Sequence, residues 1–515
     1  MVKLVVTSDN KWMALTHYDE EVERKQLDIS LTRKIKNYHF HPLVKKKVWD
    51  GAINFINKHG HIWKIPVGLW SEVMKISTKY KLDVQIEGLE RIIDEDLKLE
   101  DVQRWCDEFF KDKEFKPRDY QVESAWKIIK FRLSTSEIAT SSGKTLISFI
   151  VFGFLRQVKG LKKFLMVVPN TNLVLQGTDD FLDYGLKDLD PDIEIQQIHG
   201  ENKKKKSGAL MLGTYQSLVK MDDDFFEDVE CVFVDEAHSA PTTSIKNILA
   251  RCKDSIWRFG LSGTLPGPLT AEYMTAQHLL GPLVMEITPD FLFKNKFATP
   301  VFVKIVKMDW VEENVKKNLH HLRKTKKHTE DLEGSDILVL EKKIVISSEK
   351  RLAFVTDFIS KVSKNSLVLF HSVGDGYGRR IFDRLRELDA TKEVFYIDGN
   401  TDIENREYYI SQMEEGANKI LVASFGTLST GISIKNIHNI FLTESYKSDI
   451  LIGQTIGRGM RKLEGKEVVN IIDFVDDFSV NAQAFPLNYL MKHSLERIRI
   501  YKEKKFDYKV FDVSF

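Results

Sequence analysis

Cysteine is scarce in this chain. It has three, Cys106, Cys231 and Cys252, scattered and with no C-x-x-C pair. Such usage points to a reducing compartment and against structural zinc. The histidines show no metal-ligand spacing, and His320 and His321 fall in a charged stretch where solvation is expected. No run of 18 apolar residues and no signal peptide appears, so the expectation is a soluble protein of the cytoplasm with no membrane partner. A low-complexity tail and short-period repeats are also missing. Formal charge is only +1. Any contact with nucleic acid must therefore come from local basic patches, because there is no global field to supply it.

What is present reads as ordinary globular composition, 43% hydrophobic and 29% charged over 515 residues. That length exceeds one core and predicts three or four domains. Residues 1–95 read as a small α+β module: a strand from Lys3, charged helical spacing from Tyr18, a hairpin turning at His59-Gly60, a helix from Gly68 and an edge strand from Leu82. An acidic linker with a helix follows over 87–114. From Phe115, apolar strand candidates alternate with helices (164–169, 209–213, 229–234, 257–262), which predicts a parallel sheet wound on both faces. A charged bridge over 307–350 separates this from a second series (366–370, 393–397, 419–423, 439–443, 468–472). The stretch from Phe485 is basic, aromatic and partly helical.

Ile138-Ala-Thr-Ser-Ser-Gly-Lys-Thr145 carries the sharpest chemistry. Thr140, Ser141, Ser142 and Gly143 are small enough for backbone N–H groups to close around phosphate oxygens, and the following helix adds its positive end. Lys144 would reach the β- and γ-phosphates of ATP, and the Thr145 hydroxyl would hold Mg²⁺. The first glycine of the usual pattern is replaced by Ile138. Cys231-Val-Phe-Val-Asp-Glu-Ala-His238 then delivers two carboxylates at the end of an apolar strand, where open α/β sheets place their chemistry. Asp235 and Glu236 are the metal-binding candidates, and Glu236 is also the candidate base for the attacking water. His238 is placed to couple this site to the rest of the machine.

With these motifs in order, residues 115–475 resemble a superfamily 2 helicase or translocase. The resemblance implies two tandem RecA-like parallel-sheet domains, 96–300 and 301–480, between the N-terminal α+β domain and a C-terminal helical extension, 481–515. It implies adenine recognition by Gln121 in Arg118-Asp-Tyr-Gln121. It implies nucleic-acid contacts from Pro169 and Gln176 (motif Ia), Thr214 (Ib), Ser372 (IV) and Thr430 (V). Gly431 lies beside Thr430 and counts among the nucleotide-binding residues. Leu261-Ser-Gly-Thr264 resembles motif III, which couples the ATP site to strand movement. Gln454-Thr-Ile-Gly-Arg-Gly-Met-Arg461 resembles motif VI. It implies catalytic roles for Gln454, Arg458 and Arg461, the two arginines three apart on one helix face as fingers on the γ-phosphate. An acid usual after Gly-Ile in motif V is replaced by Ser433.

Over its whole length the chain resembles the phage T4-type recombination helicases, which share that serine. This narrower resemblance implies an ATP-dependent DNA helicase that remodels branched DNA (Holliday junctions, forks, R-loops with their RNA–DNA hybrid). It also implies strand annealing in recombination, repair and replication. The setting would be a host cytoplasm, the state a monomer or weak oligomer, and the protein partners single-strand-binding or recombination proteins. Arg33, Lys34, Lys36, His39, Lys45, Lys46 and Lys47 near Tyr38, Phe40 and Trp49 make the N-terminal module a candidate duplex-binding element. The plain alternative is a solvated face over a core holding Trp49 and Trp63. Lys203, Lys204, Lys205 and Lys206, and Arg323, Lys324, Lys326 and Lys327, are further basic candidates. A double-stranded DNA translocase without unwinding and an RNA helicase remain the competing functions, because Asp-Glu-Ala-His serves both polymers.

Overall fold

The computed structural model describes residues 1–35, 38–200, 208–310, 334–429, 434–445, 456–457, 459–478 and 487–515. They divide into two compact units, one of Met1–Ala139 and Gly143–Ile287, the other of Thr140–Ser142 and Thr288–Phe515.

The first unit opens with a five-stranded mixed sheet in the order Asn57–His59, Ile62–Pro66, Trp12–Tyr18, Val2–Val6, Val84–Glu87. Val2–Val6 runs antiparallel to Trp12–Tyr18 and parallel to Val84–Glu87. Helices Glu21–Ser30 and Trp70–Tyr80 cover it. The edge strand sits where the sequence predicts it and the hairpin turns at His59-Gly60, but its first arm is only Asn57–His59, and Ala52–Asn54 just before it pairs with Thr32–Lys34. Trp12–Tyr18 is a central strand that alternation alone did not reveal. The core of this module does not close on itself: Leu133 and Met274 of the following α/β layer belong to it. Gly68 sits so close to the helix Ala271–Leu280 that a Cβ would collide with the Gln277 carbonyl. Only glycine permits that approach, so the module is docked rather than tethered.

A seven-stranded sheet follows, in the order Ile195–Ile198, Leu210–Thr214, Phe164–Val168, Cys231–Asp235, Trp257–Ser262, Leu133–Ile138, Leu283–Ile287. Every pairing is parallel. Parallel strands covered on both faces read as continuous apolar runs, and Phe164–Val168 is buried throughout. Leu133–Ile138 breaks that rule. Its Ser134, Thr135 and Ser136 are each at most 1% exposed, and Thr135 Oγ1 donates to Gly281 O at 2.9 Å. Polarity hid this strand from the sequence reading. Ile138, where the phosphate-loop pattern expects glycine, is its last and fully buried residue. Helix Lys144–Gln157 is apolar nearly all round. It lies under helix Leu99–Phe109, where Trp105, Phe109 and Phe110 pack on Phe149 and Phe154. Burying each such ring contributes about 1.5–3 kcal/mol.

The second unit holds another all-parallel seven-stranded sheet, in the order Val394–Ile397, Ile420–Ser424, Ser366–Phe370, Asn439–Leu442, Val469–Asp477, Val301–Asp309, Asp507–Ser514. The five strands read from sequence are there. The stretch read as a charged bridge, 307–350, instead holds the end of the strand Val301–Asp309, the helix Gly334–Ser347 and the start of the helix Glu349–Ser360. The C-terminal stretch contributes helix Tyr489–Glu503, as expected, and then an edge strand of the sheet.

Two fully buried ion pairs fix this unit. Arg351 Nε and Nη2 donate to the two Asp476 carboxylate oxygens at 2.8 and 2.9 Å, Nη1 to Tyr377 Oη at 2.7 Å. Arg497 Nε and Nη2 donate to both Asp473 oxygens at 2.8 and 2.9 Å, Nη1 to Ser445 Oγ at 3.0 Å. All four charged side chains are 0% exposed. Arg497 thereby locks the Tyr489–Glu503 helix to the strand Val469–Asp477.

Among the described residues, no helix is long and apolar enough to cross a membrane. All three cysteines are free thiols in the core.

Candidate nucleotide site and nucleic-acid contacts

The turn after Leu133–Ile138 brings together the residues that the phosphate-loop reading names. Ser141 and Gly143 both have positive φ, 70° and 87°. Gly143 caps the helix Lys144–Gln157, and a Cβ there would also strike the Gln121 amide. Gln121 is buried and accepts from Arg118 N through Oε1 at 2.9 Å. Its place is therefore at the base of the loop, where it braces Gly143. Thr140, Ser141 and Thr145 are partly exposed and Ser142 is buried.

Two strands away, Cys231–Asp235 ends in a second strained backbone. Glu236 has φ 53°, and its N–H donates to Asp235 Oδ1 at 3.0 Å. Non-glycine residues held in the left-handed region cost about 1–3 kcal/mol and cluster at functional sites. Lys144 Nζ lies 3.5 Å from Glu236 Oε1 and 3.9 Å from Asp235 Oδ1. His238 Nδ1 lies 3.3 Å from Glu236 Oε2 and 3.1 Å from Ser262 Oγ.

Electrostatics separates the two carboxyls. Burial disfavours the charged form of Lys144, but Glu236 and Asp235 outweigh it and raise the ammonium above its ordinary range. Burial lifts Asp235 above the usual carboxylate range, only partly offset by Lys144. At Glu236 the same burial is overcome by Lys144, His238 and Ser262, so this carboxyl sits below its usual range. Paired acids pushed apart in this way can take different roles. An ionised Glu236 is an acceptor for a water proton. Hydroxyl and carboxylate oxygens from Thr145, Asp235 and Glu236 are hard donors of the kind Mg²⁺ prefers. That a cation is favoured there is shown by the Lys144 ammonium lying against both acids.

Ser262 adds a feature that spacing alone could not give. Its single hydroxyl proton faces two acceptors, Thr264 O at 2.8 Å and Glu236 Oε2 at 3.3 Å. One proton cannot serve both, so the hydroxyl can pass from the carboxylate to the motif III backbone by a rotation. Ser262→Ala is expected to lower ATP turnover about tenfold, the worth of one such hydrogen bond, with nucleotide affinity unchanged. Steady-state turnover at saturating ATP checks this, and a wild-type value would show the hydroxyl to be idle.

The nucleic-acid candidates divide. Pro169 and Gln176 lie at the surface, and Pro169 O accepts from Gln216 Nε2 at 3.3 Å, which joins motif Ia to motif Ib. Thr214 is buried, and its Oγ1 caps the helix Tyr215–Leu218 by accepting from Ser217 N at 3.3 Å. Ser372 Oγ donates to the buried Glu444 Oε2 at 2.6 Å, while His371 N and Ser372 N donate to Glu444 Oε1. Both hydroxyls thus shape turns. Arg461 is partly exposed. Gln454, Arg458, Thr430, Gly431, Ser433, Lys36, the lysines at 203–206 and the basic residues at 316–328 lie outside the described residues. Glu444, Arg351, Arg497 and Lys466 went unmarked in the sequence, where a lone charge reads as solvated surface.

An all-parallel sheet with this phosphate loop and these paired acids at its strand ends, followed by a second such sheet, is an arrangement similar to that of the ATP-dependent helicases of superfamily 2. The family described as type III restriction enzyme, res subunit, matches residues 114–267. Among its relatives is UvsW, the ATP-dependent DNA helicase of enterobacteria phage T4, 29% identical over 92% of each chain. Two solved structures share the fold alone. The DNA-bound type ISP restriction-modification enzyme LlaBIII has a TM-score of 0.55 at 14% identity, over 78% of this chain and 32% of that one. Dbp5 of Saccharomyces cerevisiae, bound to RNA and ADP BeF3, has 0.51 at 14%, over 81% and 96%. The phage T4-type resemblance read from the motifs is borne out.

Proposed function

We propose that the chain uses ATP hydrolysis to move along DNA and so remodels branched DNA, with strand annealing as a companion activity. The observation that carries the motor reading is the Lys144–Asp235–Glu236–His238–Ser262 network at one end of a parallel sheet. The polymer assignment is supported by the likeness to the phage T4 DNA helicase over 92% of both chains. In this reading residues 140–143 cradle the phosphates and Lys144 binds the β- and γ-oxygens. Thr145 and Asp235 would hold Mg²⁺, which would supply charge neutralisation at the phosphates. Glu236 orients the attacking water. Gln454, Arg458 and Arg461 serve the γ-phosphate, the arginines as fingers worth about 10³–10⁵ in rate. Phosphate-backbone contacts make movement largely independent of sequence. The decisive experiment measures ATP turnover alone, then with single-stranded DNA, a four-way DNA junction and duplex RNA at fixed salt. Strongest stimulation by the junction supports the proposal, and stimulation by RNA alone overturns it.

The N-terminal module is proposed as the duplex contact. Lys34, His39, Phe40, Lys45, Lys46 and Lys47 are exposed, and Lys34 Nζ stands 4.3 Å from the centre of the Tyr38 ring. Arg33 instead donates to Ser30 O at 2.6 Å, and Trp49 Nε1 to Ala52 O at 2.8 Å. Trp63 is buried between Arg24 and Lys58. Deleting 1–95 would strip apolar cover from Leu133 and Met274, so charge reversal is the cleaner test. Replacing Lys45, Lys46 and Lys47 with glutamate is expected to weaken four-way-junction binding at least about tenfold and to flatten its salt dependence by about three counterions. Basal ATP turnover should not change. Unaltered junction affinity would remove this surface from the DNA path.

A further inference from the structure

Lys466 is a buried lysine that the motor reading does not use. It is 6% exposed. Its Nζ donates to Lys435 O at 2.8 Å and to Arg461 O at 3.1 Å. The carbonyl of Arg461 also receives Thr299 Oγ1 at 3.3 Å, and the preceding carbonyl, of Met460, receives Thr299 N at 2.8 Å. Met460 N in turn donates to Ile456 O at 3.2 Å, the last helical bond before Arg461. On the far side, Glu414 accepts from the backbone N–H groups of Lys435 and Asn436. One ammonium thus ties the backbone that carries the second motif VI arginine to the backbone just after the motif V segment.

Burying an ammonium against carbonyls is costly, and a nearby guanidinium adds to the cost. A methionine would fill the same space without either penalty. What the lysine uniquely supplies is several charge-assisted donors that fix a carbonyl in place. The side chain on that same residue is the candidate finger, and fingers act only when held to within about 0.5 Å of the productive position. We propose that Lys466, with Thr299, is a positioning residue that sets Arg461 for the γ-phosphate and ties it to the motif V backbone. The proposal rests on the reading of Arg461 as a finger.

The titratable groups facing Lys466 are Glu414, which favours its charge, Arg461, which opposes it, and His438, whose charged form the Lys466 ammonium disfavours. Burial, reinforced by Arg461, outweighs Glu414 and lowers the ammonium to about 8 from an ordinary 10.5. The signs then separate positioning from structure. Between those two values the unfolded chain binds more protons than the folded one, so stability rises with pH. Turnover should instead fall as the ammonium, and with it the charge on the clamp, is lost.

The test measures ATP turnover of the full chain with DNA, together with thermal stability, across this pH range. Lys466→Met is expected to lower kcat at least about tenfold with the KM for ATP within about twofold. Lys466→Arg should restore most of the rate and abolish the decline above pH 8. Thr299→Val, which removes one hydroxyl, should give a smaller loss of the same kind and covers the case in which Lys466→Met fails to fold. Wild-type kcat in Lys466→Met, or in Thr299→Val where the former does not fold, overturns the proposal, as does an unchanged alkaline decline in Lys466→Arg. Arg461→Ala separates the two readings. If it retains full turnover, the finger reading fails. If it collapses while Lys466→Met does not, only the positioning role fails.

Discussion

Lys144→Ala is expected to lower ATP turnover by at least about 10²–10³-fold, the worth of a preorganised charge partner at the reacting centre. Two losses combine. The γ-phosphate loses its cation, and Asp235 and Glu236, which now share that cation at 3.9 and 3.5 Å, face each other uncompensated. Glu236 is held below the usual carboxylate range against its burial chiefly by Lys144. Without the lysine its proton affinity rises and it becomes a poorer acceptor for the attacking water. The acid limb of the pH–rate profile, set low in the wild type by the depressed Glu236, should accordingly move to higher pH in any residual activity. Steady-state turnover across pH at saturating DNA measures both effects. A variant with half the wild-type rate would remove Lys144 from the phosphate-binding role and the loop with it.

The second large effect concerns stability. Arg497→Met should destabilise the second unit by about 3–5 kcal/mol, because Asp473 would remain a fully buried charge that has lost its ion-pair partner and keeps the Tyr501 hydroxyl, at 2.9 Å, as a donor. Removing both charges in Arg497→Met/Asp473→Leu should recover most of the loss, since well-packed apolar pairs often match buried ion pairs. Denaturant titration of the two variants tests this. Equal stability of the single variant and wild type would mean that the pair holds nothing together.

Why these pairs escaped the sequence is physical. An arginine amid polar neighbours reads as surface, and only the strand that delivers Asp473 or Asp476 makes it core. The strand Leu133–Ile138 escaped for the same reason in reverse: its hydroxyls are satisfied or enclosed by neighbours that lie far away in sequence. Val301–Asp309 was hidden because Lys304 and Lys307 interrupt its apolar run and Lys307 opens the stretch read as a bridge; Lys307 instead pairs with Asp512 at 2.9 Å and with Asp477 at 3.6 Å. The candidate nucleotide site was legible because its parts are local. Gly-Lys-Thr opens a helix, Asp-Glu ends an apolar run, and a parallel sheet brings such ends to one edge. The double acceptor of Ser262 and the capping duty of Thr214 needed atomic positions. So did the grip of Glu444 on Ser372, because a hydroxyl does not announce its partner.

The edge strand Asp507–Ser514 pairs along its length with Val301–Asp309. That pairing has a consequence for biosynthesis. The first unit's sheets have every strand once residue 287 has been made, and that unit can begin folding at the ribosome. The second sheet must wait for residue 514. At about 5–20 residues per second, that wait is on the order of 11–45 s. Throughout it Val301–Asp309 carries an open edge, next to apolar side chains that will later be covered. Chaperone demand and misassembly during translation should therefore fall mainly on the second unit, at a time when the first can already have folded.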